Sequence, residues 1–102
     1  AEEKFTKYFF NPDNDNGYRK GVAFTSRLGY SIDNYQDMRN EILQAAAKYP
    51  AIYRNPTEYG GKYTQDIILY GKKNNPANVR IGWILRENGI PNFVTAYMEK
   101  VK

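Results

Sequence analysis

The stretch that decides the fold is NVRIGWILR, residues 78–86. Val79, Ile81, Trp83 and Leu85 alternate with Arg80, Gly82, Ile84 and Arg86. A strand sends successive side chains to opposite faces, so this period of two predicts a strand with one core-facing side. On its other side Gly82 leaves a gap between side chains. Turn chemistry brackets the stretch, with GKKNNPA (71–77) before it and ENGIP (87–91) after it. Beyond the turns, KYTQDIILYG (62–71) and NFVTAYMEKV (92–101) read as two further strands. Joined by short turns, the three form an antiparallel meander with 78–86 in the middle.

Upstream the period changes to that of a helix. Tyr35, Met38, Ile42, Ala46 and Tyr49 form an apolar stripe over 34–49, with Asp33 or Asn34 as cap, capping-box spacing from Asp33 to Gln36, and Pro50 as the stop. An earlier helix is predicted over 18–28, where Lys20, Phe24 and Leu28 recur every four residues and Gly29 ends the run. KFTKYFF (4–10) reads as a short apolar arm and NPDNDNG (11–17) as a turn, while AIYRNPTEYGG (51–61) connects helix to sheet. The expected class is α+β: two N-terminal helices packed on one face of a C-terminal antiparallel sheet of three to four strands.

The chain has 102 residues, enough for one domain, which at this length buries roughly 60–68% of its unfolded surface. It starts AEEK, with neither an initiator Met nor an apolar leader, which reads as a domain cut from something larger, though a processed or recombinant start would read the same. There is no cysteine, hence no disulfide framework and no thiolate nucleophile. Histidine is also absent, which argues against a zinc enzyme or a Ser-His-Asp hydrolase. Asp13 to Gly17 has calcium-loop composition without the closing glutamate, and YGGKY (59–63) lacks the rest of a phosphate-binding loop. No cofactor is expected. The net charge of +4 leans towards an anionic partner, and no apolar run reaches the roughly 18 residues that a membrane helix needs.

Alternation assigns the faces. Tyr63, Gln65, Ile67 and Leu69 point inward with Val94, Ala96 and Met98; Thr64, Asp66, Arg80, Phe93, Thr95 and Tyr97 fall on the open face. A slip of one residue would exchange the two sets. The open set holds a cation, a carboxylate and two hydroxyls. It is either a solvated sheet surface carrying an Arg–Asp cross-strand pair or an anion site, with Arg80 clamping a phosphate and Thr95 and Tyr97 donating to it. Lys20 shares a helical face with Phe24, and its ammonium can snorkel to the edge of the core.

The spaced residues Lys7, Tyr8, Asn11, Pro12, Gly17, Lys20, Phe24, Leu28, Gly29 and Tyr30, then Asp66–Ile67, then Val79, Arg80, Gly82, Trp83 and Ile84, then Val94, Thr95 and Tyr97 carry a resemblance. Together they resemble a family of small bacterial domains found at the C-termini of phage-head and polymorphic-toxin proteins. The match covers about residue 6 to residue 98. It departs at Asn14–Asp15, where members often carry His-Pro, and at Tyr18, where they often carry glycine. The layout is similar to the barnase–EndoU–colicin–RelE group of ribonucleases. The resemblance implies a metal-independent endoribonuclease of toxin type that uses the ribose 2′-hydroxyl as nucleophile. In it Arg80 binds the scissile phosphate, Thr95 and Tyr97 hydrogen-bond its oxygens, Lys20 neutralises charge or moves a proton, and Asp66 orients Arg80 or acts as base. The implied partners are RNA, transfer RNA included, and a cognate immunity protein, with no membrane. A toxin domain would be secreted or delivered into a target cell's cytoplasm; otherwise the chain is cytoplasmic. The alternative is a non-catalytic protein-binding or structural module whose tyrosine-rich surface meets a protein partner.

Overall fold

The computed structural model describes residues 3–99. It is α+β, as the alternation and the helical stripe predict. An N-terminal arm, Lys4–Phe9, is a wide helical turn closed by Phe10 N–H donating to Phe5 C=O at 3.0 Å. Two helices follow, α1 (Asp15–Leu28) and α2 (Tyr35–Ala46). Four strands complete the chain: β1 (Ala51–Thr57), β2 (Gly60–Leu69), β3 (Ala77–Leu85) and β4 (Pro91–Met98). They pair antiparallel in the order β1-β2-β3-β4, so β2 and β3 are interior and β1 and β4 are edges.

Helix α1 starts earlier than its apolar spacing indicates, because the Asn14 side chain accepts from Gly17 N–H at 3.1 Å and caps it. It stops where expected, at Gly29 with φ 77°. Asn34 precedes α2 without capping it. Its amide instead accepts from Ser31 N–H (2.7 Å) and donates to Gly29 C=O (3.0 Å), which fixes the turn between the helices. α2 ends at Ala46, before Pro50, and buried Gln65 explains the early stop. From β2 its amide donates to the carbonyls of Ala46 (2.9 Å) and Tyr49 (2.6 Å). Carbonyls left orphaned at a helix end are thereby satisfied inside the protein.

The core lies between the helices and one sheet face and includes Phe5, Phe9, Phe24, Leu28, Met38, Ile42, Ile67, Leu69, Val79, Ile81 and Ala96. Trp83 points to this side as expected but is only half-buried, its indole N–H donating to Gln65 Oε1 at 3.0 Å. Phe93 corrects the expected alternation. Gly82 pairs with Thr95 but Trp83 pairs with Phe93, so Val94 is an extra residue in a β-bulge. The bulge turns Phe93 inward, where it stacks on Phe5 (5.8 Å, 9°) and meets Trp83 edge-on (5.7 Å). Val94 instead shares the open face with Thr95 and Ile84. AIYRNPT, read from sequence as a connection, is the edge strand β1.

Gly17 and Gly21 are buried on the α1 face that meets the arm. A Cβ at Gly21 would stand 1.7 Å from the Phe9 carbonyl oxygen, and one at Gly17 would stand 2.3 Å from that of Tyr8. Gly21→Ala removes a helix-interior glycine, which alone stabilises by about 1 kcal/mol. Here it must also push the arm off α1, and overpacking costs about 1–3 kcal/mol or more. We expect a net loss, read as a lower melting temperature than wild type; an unchanged or higher one would show that the arm does not hold this position.

Candidate functional site

The β2–β3–β4 register builds the site on the sheet face away from the core. Asp66 pairs with Arg80, and Arg80 with Tyr97, making one cross-strand row. Thr64, Gly82 and Thr95 make the next. Successive same-face residues on a strand are about 7 Å apart, so the two rows are neighbours.

In the first row Arg80 lies flat against Asp66, with Nε to Oδ1 at 2.8 Å and Nη2 to Oδ2 at 3.1 Å. This bidentate pair engages two of the guanidinium's five N–H donors. The Arg80 side chain is 33% exposed. Asp66 first, and the Tyr97 hydroxyl second, hold the Arg80 charge more firmly than usual. Glu99, just past β4, joins the row with Oε1 at 3.2 Å from Arg80 Nε. That oxygen is buried and accepts no hydrogen bond among the described residues, so the contact is purely an ion pair. Two carboxyls therefore compete for one cation. Hydrogen bonding to Arg80 holds Asp66 below the usual carboxylate range. Glu99 is pushed upward, first by hydrogen bonding to Asp66, then by burial and the Asp66 charge, with Arg80 opposing by less.

The second row is completed from outside the sheet. α1 touches β4, an edge strand, and from it Lys20 reaches Thr95 on the open face. Its Nζ donates to Thr95 Oγ1 and to Tyr8 Oη, each at 3.1 Å. Both hydroxyls then keep their own protons to donate. Lys4 stands over the Tyr8 ring, 5.1 Å from its centroid, and adds a second cation. On the far side of Gly82, Arg54 Nε donates to Thr64 Oγ1 at 2.7 Å. The gap at Gly82 is smaller than alternation implies: the Thr95 methyl would lie 3.3 Å from a Cβ there, so the glycine makes room for Thr95 as well.

All the residues that the sequence singles out thus converge. Lys20 touches Thr95, Thr95 and Tyr97 share a face, Tyr97 pairs with Arg80, and Arg80 is clamped by Asp66. Sequence reasoning missed Tyr8 and Glu99 as members. Tyr8 stood within the Lys7–Tyr8 motif, and Glu99 continues the Thr95, Tyr97 alternation by one step. Among the described residues, no three His, Cys, Asp or Glu side chains gather as metal ligands would. None of the described helices is long and apolar enough to cross a membrane.

A protein-family model described as "Domain of unknown function (DUF6883)" matches residues 1–100. No curated protein and no solved structure matches the chain.

The carboxyl pair has a pH signature. The lowered Asp66 value means its contribution to stability is present above the ordinary aspartate range and lost as pH falls through the lowered value. The raised Glu99 value works the other way: its contribution is present in acid and lost as pH rises through that value. Glu99→Gln mimics the protonated acid, so its melting temperature should rise relative to wild type on going from acid to neutral pH. Asp66→Asn should fall relative to wild type over the same change. Thermal melts across that range check both; slopes of the same sign would refute the pairing.

Proposed function

The chain belongs to the DUF6883 family, and we propose from its site that it is an endoribonuclease that cleaves RNA without a metal, using the ribose 2′-hydroxyl as nucleophile. One observation carries the reading: an ammonium, a guanidinium, three hydroxyls and a carboxyl of raised pKa lie on one open surface. In such a reaction the substrate supplies its own nucleophile. The protein has only to bind the phosphate, take one proton and give another.

The roles follow from position. The scissile phosphate sits over Thr95 and Tyr97, its non-bridging oxygens held by N–H groups of Arg80 that Asp66 does not engage and by the two hydroxyls. Asp66 orients the guanidinium; as a carboxylate of lowered pKa it is the poorer base. Glu99, held higher, takes the 2′-hydroxyl proton as the O2′–P bond forms. Lys20, at the other end of the Thr95–Tyr97 pair, gives a proton to the 5′-oxygen as the P–O5′ bond breaks. Tyr8 holds Lys20 from behind. The products are a 2′,3′-cyclic phosphate and a 5′-hydroxyl, and exchange with water returns both side chains to their starting states. We read the chain as a toxin domain delivered into a target cell's cytoplasm, acting on RNA such as tRNA and neutralised in the producing cell by an immunity protein.

A second reading rests on a different surface. On the helix side a hollow of about 400 Å³, lined by Leu43, Tyr63, Trp83, Leu85 and Pro91, opens near exposed Tyr53 of β1, whose ring meets Tyr63. Such an apolar hollow suits a non-catalytic module that binds a protein.

The test is cleavage of a defined RNA and of its 2′-deoxy counterpart, with EDTA present, by wild type, Tyr97→Phe and Glu99→Gln. We expect cyclic-phosphate ends from the RNA alone and a loss of roughly 100-fold or more in rate for Tyr97→Phe, the scale of removing one oxyanion donor. Tyr97 is exposed, so its melting temperature should hardly change. Cutting of the deoxy strand, or loss of activity in EDTA, removes the mechanism; a wild type inert on all RNA leaves the binding module as the better account.

A further inference from the structure

Beside the phosphate site the open face carries a groove of about 530 Å³, floored by Gly82 and Ile84 and flanked by Thr95. This is a volume typical of ligand sites. Lys4, Lys62 and Arg86 line it, against the single carboxylate of Glu58. Its wall is the tight β1–β2 turn, whose two residues, Glu58 and Tyr59, lie between the paired Thr57 and Gly60. Thr57 Oγ1 donates to Gly60 C=O (2.6 Å) and accepts from Tyr59 N–H (3.1 Å), which fixes the turn's backbone. Tyr59 stands 62% exposed at its tip, the most exposed large hydrophobic side chain among the described residues. The bulge at Val94 shapes the opposite wall.

We infer that this groove is the track for a single-stranded segment of RNA leading away from the scissile phosphate, with a base stacked on Tyr59 and its phosphates on Lys62, Arg86 and Lys4. An aromatic ring on a fixed turn, beside cations in an apolar-floored groove, is how unpaired nucleotides are held. A duplex keeps its bases stacked on one another and offers none to Tyr59. Glu58 suits a base edge that donates N–H groups, and repels a phosphate placed against it. The inference takes its ligand from the ribonuclease reading but concerns binding, and the two fail separately.

The probe is a fluorescent 2′-O-methyl oligoribonucleotide, which keeps bases and phosphates but has no nucleophile to be cleaved, compared with the same strand in a duplex. Anisotropy titrations should show the single strand bound more tightly. Tyr59→Ala should weaken it roughly 5- to 150-fold while Tyr59→Phe keeps affinity, the range that loss of one base–aromatic stack produces. Lys62→Ala should lower the slope of log affinity against log salt by about 0.7, one phosphate contact on a single strand. Equal or tighter duplex binding, indifference to Tyr59→Ala and Lys62→Ala, or no binding of the oligonucleotide would overturn the inference. Binding as described without cleavage of native RNA would leave the groove standing and sink only the nuclease; cleavage unaffected by the groove variants would do the reverse.

Discussion

The close approach of two backbones at Gly17 and Gly21 is the constraint on which the rest of the molecule depends. The carbonyls of Tyr8 and Phe9 lie where side chains of α1 would otherwise stand. With the arm seated there, Phe5 and Phe9 fill the end of the core, Phe5 stacked on Phe93 and Phe9 edge-on to it. The same contact sets the Tyr8 hydroxyl against Lys20, between the two glycines in sequence, and keeps that ammonium at the β4 edge. Two helix positions without side chains therefore fix a packing layer on one side of the sheet and a polar cluster on the other. Neither side can be altered at the arm without disturbing its counterpart.

Much of this was legible in the chain because β2 and β3 are interior and keep a strict period of two. Val79 and Ile81 inward and Asp66 and Arg80 outward follow from alternation alone, and Thr95 and Tyr97 follow once β4 is paired. Alternation cannot announce an inserted residue, so Val94 and the inversion of Phe93 stayed hidden. β1 was missed for another reason. It pairs on one side only and is exposed along nearly its whole length, so nothing selects an apolar period, and Pro56 argues against a strand. Asn14 vanished into a run that reads as turn throughout, yet it caps α1. Alternation puts Thr95 on the open face while the helices pack on the other, so spacing alone does not bring Lys20 to Thr95. They meet because α1 packs against β4, an edge strand, a matter of tertiary placement that no spacing encodes.

The carboxyl pair around Arg80 illustrates how a surface row acquires chemistry. An Arg–Asp pair alone on a wet sheet contributes little and does nothing further. A second carboxyl with a buried oxygen changes this, since one acid is then held ionised while the other resists ionisation.

The sheet is a run of nearest-neighbour hairpins with no crossover, and the chain has no cysteine to oxidise. Such a topology can form by local steps, each hairpin closing on the one before it, so recovery from an unfolded state needs no oxidant. The polar cluster does not share this locality. Tyr8 and Lys20 come from the beginning of the chain and Thr95 and Glu99 from its end, the Lys20–Thr95 contact spanning 75 residues. A chain with only its hairpins or only its helices formed presents one half of the cluster. The cluster is therefore complete only once the two ends of the chain have met.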